Sequence, residues 1–236
     1  METYPKRARE ALERLVSRLK PHAPDAVVVY GSLAKGEWVE GRSDINVAVV
    51  LPEASAEALF AIGEPLRAAF REARVNALLL ERGEVARVAD VFPIKMADIA
   101  ASHDVLLGED PFGAVEVERA HLRLRVEQEL RNHLLRLRRV AVFSRGGAER
   151  LHEALRATAR SLQLELGALL DVLDEPRGGD VYAAARGRLD LDGATLDAFA
   201  ALKRDGGIPP DPEGLYAKAL ALLARAIELA DRAEEA

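Results

Sequence analysis

The chain has 236 residues and a formal net charge of −6; 49% of its residues are hydrophobic and 31% are charged. This balance is typical of a globular protein with one or two domains and excludes a disordered chain. The sequence contains no cysteine, which excludes disulfide bonds, thiol catalysis and cysteine-ligated zinc or iron–sulfur centres.

Neither a membrane span nor a secretion signal is predicted. The apolar runs, such as Ala26–Tyr30 and Ala77–Leu80, are far shorter than the ~18 residues that a membrane-spanning helix needs. The N-terminal residues lack the apolar core of a secretion signal. We therefore expect a cytoplasmic protein with no membrane contact. Because the net charge is negative, any site for a polyanion must be local.

The first half of the chain alternates helical and strand patterns. Apolar residues at helical spacing predict a helix over residues 5–20, which Pro21 and Pro24 end. The β-branched run Ala26–Tyr30 predicts a buried strand, and Gly31-Ser32 predicts a tight turn after it. The elements predicted next are a strand over Ile45–Leu51, a helix over Ala54–Ala73, a strand over Arg74–Leu80, and a fourth strand or a buried turn over Val91–Ile99.

From about Val115 the composition changes, because Ala, Leu, Arg and Glu dominate and apolar residues recur every three or four positions. This pattern predicts an all-α bundle with helices near 118–143, 148–173, 179–187, 193–203 and 213–234. The segment Gly108–Gly113 is the predicted joint. We therefore expect two domains, residues 1–113 and residues 114–236.

One segment carries the chemistry. The Gly31-Ser32 turn follows a strand, and the free backbone N–H groups of such a turn can hold a phosphate, with the Ser32 hydroxyl as a further donor. The next strand opens with Ser43-Asp44-Ile45-Asn46, and the two-residue period of a strand places Asp44 and Asn46 on one face. Two oxygen-bearing side chains beside a phosphate turn are what a magnesium–triphosphate site requires.

These residues resemble a known family. Gly31-Ser32, a spacer that contains Gly36, and Ser43-Asp44-Ile45-Asn46 at the start of a strand are similar to the motif of the nucleotidyltransferase superfamily with the polymerase-beta-like fold. A helical domain after the core is also similar to the antibiotic nucleotidyltransferases. The resemblance covers residues 5–113 and implies an α/β (α+β) mixed sheet with flanking helices, followed by the helical bundle.

The resemblance also implies a set of site residues and ligands. It implies a nucleoside triphosphate as substrate or ligand and Mg²⁺ as cofactor. Asp44 and Asn46 take the catalytic positions, and Asp44 is the metal ligand. The nucleotide-binding residues that it implies are Gly31, Ser32, Lys35, Ser43 and Lys95.

The sequence departs from the family at the carboxylates. The family's enzymes use an Asp-x-Asp pair and a third carboxylate on a later strand to hold two metal ions. Here the second position is Asn46. The third is Asn76 if the partner strand is 74–78, or Lys95 if it is 92–96, in which case the Lys95 ammonium replaces a metal cation and pairs with Asp44. The acidic residues that take this position in another register are Glu81, Asp90 and Asp98.

Three functions are compatible with these residues, and they leave open whether the chain is an enzyme. The leading hypothesis is a pseudoenzyme with a degenerate metal site that binds a nucleotide or a partner and transfers weakly or not at all. The first alternative is an active magnesium-dependent enzyme that moves a nucleoside monophosphate to a small-molecule, protein or RNA acceptor. The second is an antitoxin-like or scaffold protein. The acceptor is unknown, and a second copy of the chain is a candidate partner.

The helix Arg119–Arg139 holds seven arginines against Glu127 and Glu129. Ion pairs between residues four positions apart are the favoured explanation. The alternative is a surface for RNA or another polyanion. Arg145 and His152 also have the gap of an RNase-type Arg–His motif, although Gly146 stands where that motif has a polar residue.

Overall fold

The structure is a computed structural model and describes residues 3–143 and 147–233. It divides into two compact units, Met1–Val117 and Glu118–Ala236. The predicted boundary after residue 113 lies four residues earlier in the chain than this division.

The first unit is a four-stranded mixed sheet with helices on both faces. The strand order is β3-β2-β1-β4; β1 is antiparallel to β2 and β4, whereas β2 and β3 are parallel. The elements in chain order are α1 (Lys6–Leu19), β1 (Ala26–Tyr30), β2 (Ile45–Leu51), α2 (Ala56–Ala73), β3 (Val75–Glu81), α3 (Val85–Val91), α4 (Pro93–Ala101) and β4 (His103–Gly108).

The two central strands are buried on both faces, which explains their unbroken apolar runs. On one face, Val27 and Val47 pack with the apolar stripes of α1 and α2. On the other face, Val28 and Ala48 pack with residues of α3 and α4, among them Met96. The sheet is therefore the middle layer of three, with a core on each side.

The prediction of a strand or turn over Val91–Ile99 is wrong. The segment forms the end of α3 and most of α4, and Pro93 occupies the first turn of α4, where a missing N–H costs nothing. Ile94, Met96 and Ile99 are buried residues of α4. The prediction failed because the sequence of a short apolar run fits a buried strand as well as a buried helix. The fourth strand is β4, which pairs with β1 and begins with polar residues.

The second unit is a bundle of helices. The structure describes α5 (Arg119–Phe143), α6 (Ala148–Val172), α7 (Val181–Arg188), α8 (Gly193–Asp205) and α9 (Pro212–Arg232). These bounds lie within two residues of the predicted ones, and the predicted last residue of α9, Glu234, lies outside the described residues. No helix in the described parts of the chain is both long enough and apolar enough to span a membrane.

Candidate functional site

A hydrogen-bonded turn follows β1 and spans Gly31–Gly36. The Lys35 N–H donates to the Gly31 carbonyl at 3.0 Å, and the Glu37 N–H donates to the Ser32 carbonyl at 2.8 Å. Gly31 has φ +74°, a left-handed conformation that glycine adopts without strain. The turn thus starts immediately after Tyr30, the last residue of the strand, with Ser32 half-buried at its beginning.

Three side chains of neighbouring strands lie side by side next to this turn. The register pairs Asn46 on β2 with Tyr30 on β1 and with Asn76 on β3, and residues paired across strands share one face of a sheet. A Cβ atom on Gly31 would lie 3.1 Å from Asn46 Nδ2, so the backbone of the turn runs directly over this amide. The register therefore agrees with the alternative that places Asn76 in the third position.

Asp44 immediately precedes β2 and forms an ion pair with Arg74. Arg74 Nε donates to Asp44 Oδ1 at 2.6 Å, and both side chains are at least one-third exposed. Arg74 ends α2 in a left-handed conformation and immediately precedes β3, so the parallel register of β2 and β3 brings the two residues together. The sequence did not single out Arg74.

The expected pairing of Lys95 with Asp44 is wrong. Lys95 lies on α4 rather than on a strand, and its neighbours Ile94 and Met96 face the core while Lys95 itself is exposed. Within residues 3–143 and 147–233, Lys95 takes part in no ion pair. The helix therefore directs this ammonium to solvent.

Besides Arg74, a second cation that lies in the site is Lys35. Its Nζ is 2.5 Å from Asp98 Oδ1 on α4, and Asp98 is only 7% exposed. Burial raises the pKa of the Tyr30 hydroxyl, and the negative charge of Asp98 raises it further. Lys35, Asp98 and Tyr30 therefore form one polar cluster on the same side of the sheet as Asn46.

The remaining predicted residues have structural contacts. Ser43 Oγ accepts the Val39 N–H at 3.1 Å, and Trp38 Nε1 donates to the Ser43 carbonyl at 3.1 Å. Ser43 thus shapes the loop before β2. Glu81 pairs with Leu51 at the opposite end of the strands from Asn46, and Asp90 is exposed on α3.

The donor set does not fit a two-metal centre. Besides the neutral amides of Asn46 and Asn76 it contains two carboxylates, Asp44 and Asp98, and each already pairs with a cation, Arg74 and Lys35 respectively. No group of three or more His, Cys, Asp or Glu side chains in the described parts of the chain is placed to hold a metal ion. Amide oxygens can contact Mg²⁺, but they supply none of the negative charge that offsets two dications.

The arginines of α5 fall into two groups. Those of the first half are paired with carboxylates: Arg119 with Asp174, Arg123 with Glu127, Arg125 with Glu129, and Arg131 with Glu127 and Asp231. Ion pairs between residues four positions apart therefore account for three of the four arginines in the first half of α5, as expected. Of the second half, Arg136, Arg138 and Arg139, none pairs with a carboxylate of the described residues.

The Arg–His motif cannot be assembled from the described residues, because Arg145 lies outside them. His152 is 7% exposed, and its Nε2 is 3.0 Å from the Gly207 carbonyl, with which it forms a hydrogen bond. His152 therefore has a structural partner within the bundle.

Comparisons with known proteins bear on the domain and on the fold. Residues 6–99 match the family model described as "Nucleotidyltransferase domain". In structure, the chain is similar to the spectinomycin adenyltransferase AAD(9) from Enterococcus faecialis, solved with ATP and spectinomycin. The two are 9% identical in sequence, with a TM-score of 0.58 over 93% of this chain and 98% of that one. No curated protein sequence matches the chain.

Residues 6–99 therefore match the nucleotidyltransferase domain that the Gly31–Asn46 segment resembles, and the mixed sheet with the helical region after it has the fold of this adenyltransferase. At 9% identity the structural likeness concerns the fold.

Proposed function

We propose that the protein binds a nucleoside triphosphate at the Gly31–Gly36 turn and transfers its nucleoside monophosphate weakly or not at all. The observation that carries this proposal is the register of β2 and β3, which places the amides of Asn46 and Asn76 side by side. These are the positions where the family's enzymes have carboxylates.

The turn supplies contacts for phosphate oxygens. Its first backbone N–H groups and the Ser32 hydroxyl are donors, and a phosphate can share the Lys35 ammonium with Asp98. Binding by these groups needs no second metal ion. The Lys35–Asp98 pair keeps the ammonium near the turn before a ligand arrives.

Weak transfer follows from the charge of the site. Two-metal catalysis activates the attacking hydroxyl and stabilises the leaving pyrophosphate, and it needs several carboxylates to hold both dications. Asp44 and Asp98 supply two negative charges, and Arg74 and Lys35 offset them. We therefore expect ATP to bind with similar affinity in the presence of magnesium and of a chelator.

The second candidate is magnesium-dependent transfer to a small-molecule, protein or RNA acceptor. It is supported by the structural likeness to a spectinomycin adenyltransferase that was solved with ATP and spectinomycin. In that case Asp44 is the ligand of a single Mg²⁺ that arrives with the triphosphate.

Calorimetric titration of ATP, GTP, CTP and UTP, with magnesium and again with chelator, tests the proposal. Binding that does not require magnesium, and that Ser32→Ala weakens, supports it. Binding that requires magnesium and is accompanied by release of pyrophosphate favours the active enzyme. Absence of binding by a folded protein leaves an antitoxin-like or scaffold role.

Restoring the carboxylates provides the complementary test. We expect Asn46→Asp with Asn76→Asp to make ATP binding magnesium-dependent, because carboxylates then stand at positions 44, 46 and 76. Asn132→Asp is the matched control, since it adds a negative charge at the chain's third asparagine, which lies on the exposed surface of α5. A magnesium effect in the control as large as in the double variant would contradict the assignment of the site.

A further inference from the structure

A cavity of about 470 Å³ lies between α5 and α6 of the second unit. Arg136, Arg139 and Phe143 line it from α5, and Arg150 and Glu153 line it from α6. All of these residues belong to the helical bundle, and none belongs to the turn and strands described above.

The charge of the cavity is opposite to that of the protein. Three guanidinium groups, which stay protonated at every physiological pH, face one carboxylate in a chain with a net charge of −6. Within residues 3–143 and 147–233, neither Arg139 nor Arg150 takes part in an ion pair. Like charges that share a cavity repel each other, and a bound anion relieves this repulsion.

Arg136 is held in place by a buried histidine. Its Nη2 is 3.0 Å from His133 Nδ1, and because a guanidinium can only donate, His133 Nδ1 is the acceptor. The ring proton is then on His133 Nε2, which donates to Glu165 Oε1 at 2.8 Å. His133 and Glu165 are 2% and 4% exposed, so a buried hydrogen-bonded pair orients this guanidinium. An oriented donor loses less conformational freedom when it binds a ligand.

The rim of the cavity provides an aromatic surface. Phe143 is 74% exposed, and the Arg139 guanidinium lies 6.0 Å from the centre of its ring. An exposed ring next to arginines is the arrangement on which nucleic-acid bases stack in proteins that bind single strands.

We propose that this cavity binds a nucleoside phosphate, with the phosphate on Arg136, Arg139 and Arg150 and the base against Phe143. A free nucleotide and the terminal nucleotide of an RNA strand carry the same chemistry, so both are possible sources of this ligand. The site is separate from the Gly31–Gly36 turn and does not depend on the function proposed for that turn.

The test uses the full-length protein and two probes, AMP and a dye-labelled oligoadenylate of about eight nucleotides with a 5′-phosphate. We expect Arg139→Ala and Arg150→Ala each to weaken binding of both probes by about tenfold. Arg138→Ala is the matched control, because Arg138 is the exposed neighbour of Arg139 on the same helix but does not line the cavity. We expect this control to change affinity by less than about twofold.

Phe143→Leu separates the base from the phosphate. It should weaken AMP binding by about fivefold and leave binding of inorganic pyrophosphate unchanged, because only the base stacks on the ring. Tighter binding of AMP than of the oligonucleotide identifies a free nucleotide as the ligand, and the reverse order identifies an RNA end. Circular dichroism of each variant checks that it folds.

Three results would overturn the proposal. Equal losses of affinity for Arg138→Ala and Arg139→Ala would show that the probes are attracted by the overall positive charge of the helix and not by a defined site. No binding of either probe by the folded wild-type protein would exclude the site. Hydrogen exchange with bound AMP should show protection in α5 and α6, and protection confined to residues 31–46 would assign the nucleotide to the turn alone, so the two sites can succeed or fail independently.

Discussion

Gly31 shows how a single residue determines the geometry of the candidate site. Both Gly31 and Gly36 have φ +74°, but an added Cβ meets Asn46 Nδ2 at 3.1 Å at Gly31 and meets no atom of the described chain within 4 Å at Gly36. Gly36→Ala should therefore cost only backbone strain, about 1 kcal/mol of unfolding free energy. Gly31→Ala should cost about 1 kcal/mol more, because the amide must move.

Urea unfolding followed by the fluorescence of Trp38 measures both costs, since Trp38 is the only tryptophan and lies in the first unit. In an Asn46→Ala background the difference between the two glycine variants should disappear. Equal costs in the wild-type background would contradict the close approach of the turn to Asn46.

The ion pair of Lys35 and Asp98 makes a second prediction at the residue scale. Lys35→Met removes the ammonium from a carboxylate that is 7% exposed, and we expect a loss of about 2 kcal/mol in unfolding free energy. Adding Asp98→Asn should recover at least half of that loss, because no buried charge then remains. A double-mutant cycle by urea unfolding measures the coupling, and strictly additive losses would show that the two groups do not interact.

At the scale of elements, three helices of the second unit have an aspartate as N-cap residue. Asp180, Asp192 and Asp211 precede α7, α8 and α9, and each accepts a backbone N–H from the first turn. Such caps satisfy N–H groups that have no partner within the helix.

Asp192 predicts a pH dependence for the bundle. Hydrogen bonds from the Thr195 hydroxyl and then from its N–H lower the pKa of Asp192. Its stabilising contribution is therefore present above the ordinary aspartate pKa of about 3.9 and is lost as the pH falls through the lowered value. Asp192→Ala should cost about 1 kcal/mol at neutral pH, and thermal melts of variant and wild type should converge in acid. A constant difference from neutral to acid pH would contradict this role.

Helices and strands whose apolar residues follow one clear period were predictable from the sequence. Short segments whose apolar residues fit two periods, or that begin with polar residues, were not. The bounds of β1 and β2 were predicted as observed, because β-branched runs buried on both faces have no helical alternative. The run Val91–Ile99 fits both periods, and β4 opens with His103 and Asp104, which are atypical of a strand.

The candidate site likewise has features that a local sequence pattern predicts and features that depend on which strands pair. The shared face of Asp44 and Asn46 follows from the period of one strand, and it stays a prediction because β2 begins at Ile45, after Asp44. The choice of Asn76 over Lys95 required the pairing of β2 with β3, which no local pattern contains. The Lys35–Asp98 pair joins residues 63 positions apart, and its only signal is a carboxylate among the apolar positions of α4.

For the whole molecule, the distribution of charge decides which anions can bind. The net charge of −6 repels a long polyanion over most of the surface, and the arginines in the first half of α5 are already paired with carboxylates. We therefore expect attraction to depend on short-range contacts in the cavity lined by Arg136, Arg139 and Arg150 and at the Gly31–Gly36 turn.

This confinement predicts a weak dependence on salt and on strand length. Three guanidinium groups and one carboxylate give the cavity a net charge of about +2, which neutralises about two phosphate charges. Raising the salt concentration from about 50 to about 200 mM should therefore weaken oligonucleotide binding by about tenfold. A surface that followed an RNA strand over about eight phosphates would lose more than about 10³-fold over the same range. A 5′-phosphorylated dinucleotide should likewise bind within about threefold of a strand of about twenty nucleotides. Fluorescence anisotropy measures both comparisons, and a steep salt slope together with tighter binding of the longer strand would replace the cavity by an extended polyanion surface along α5.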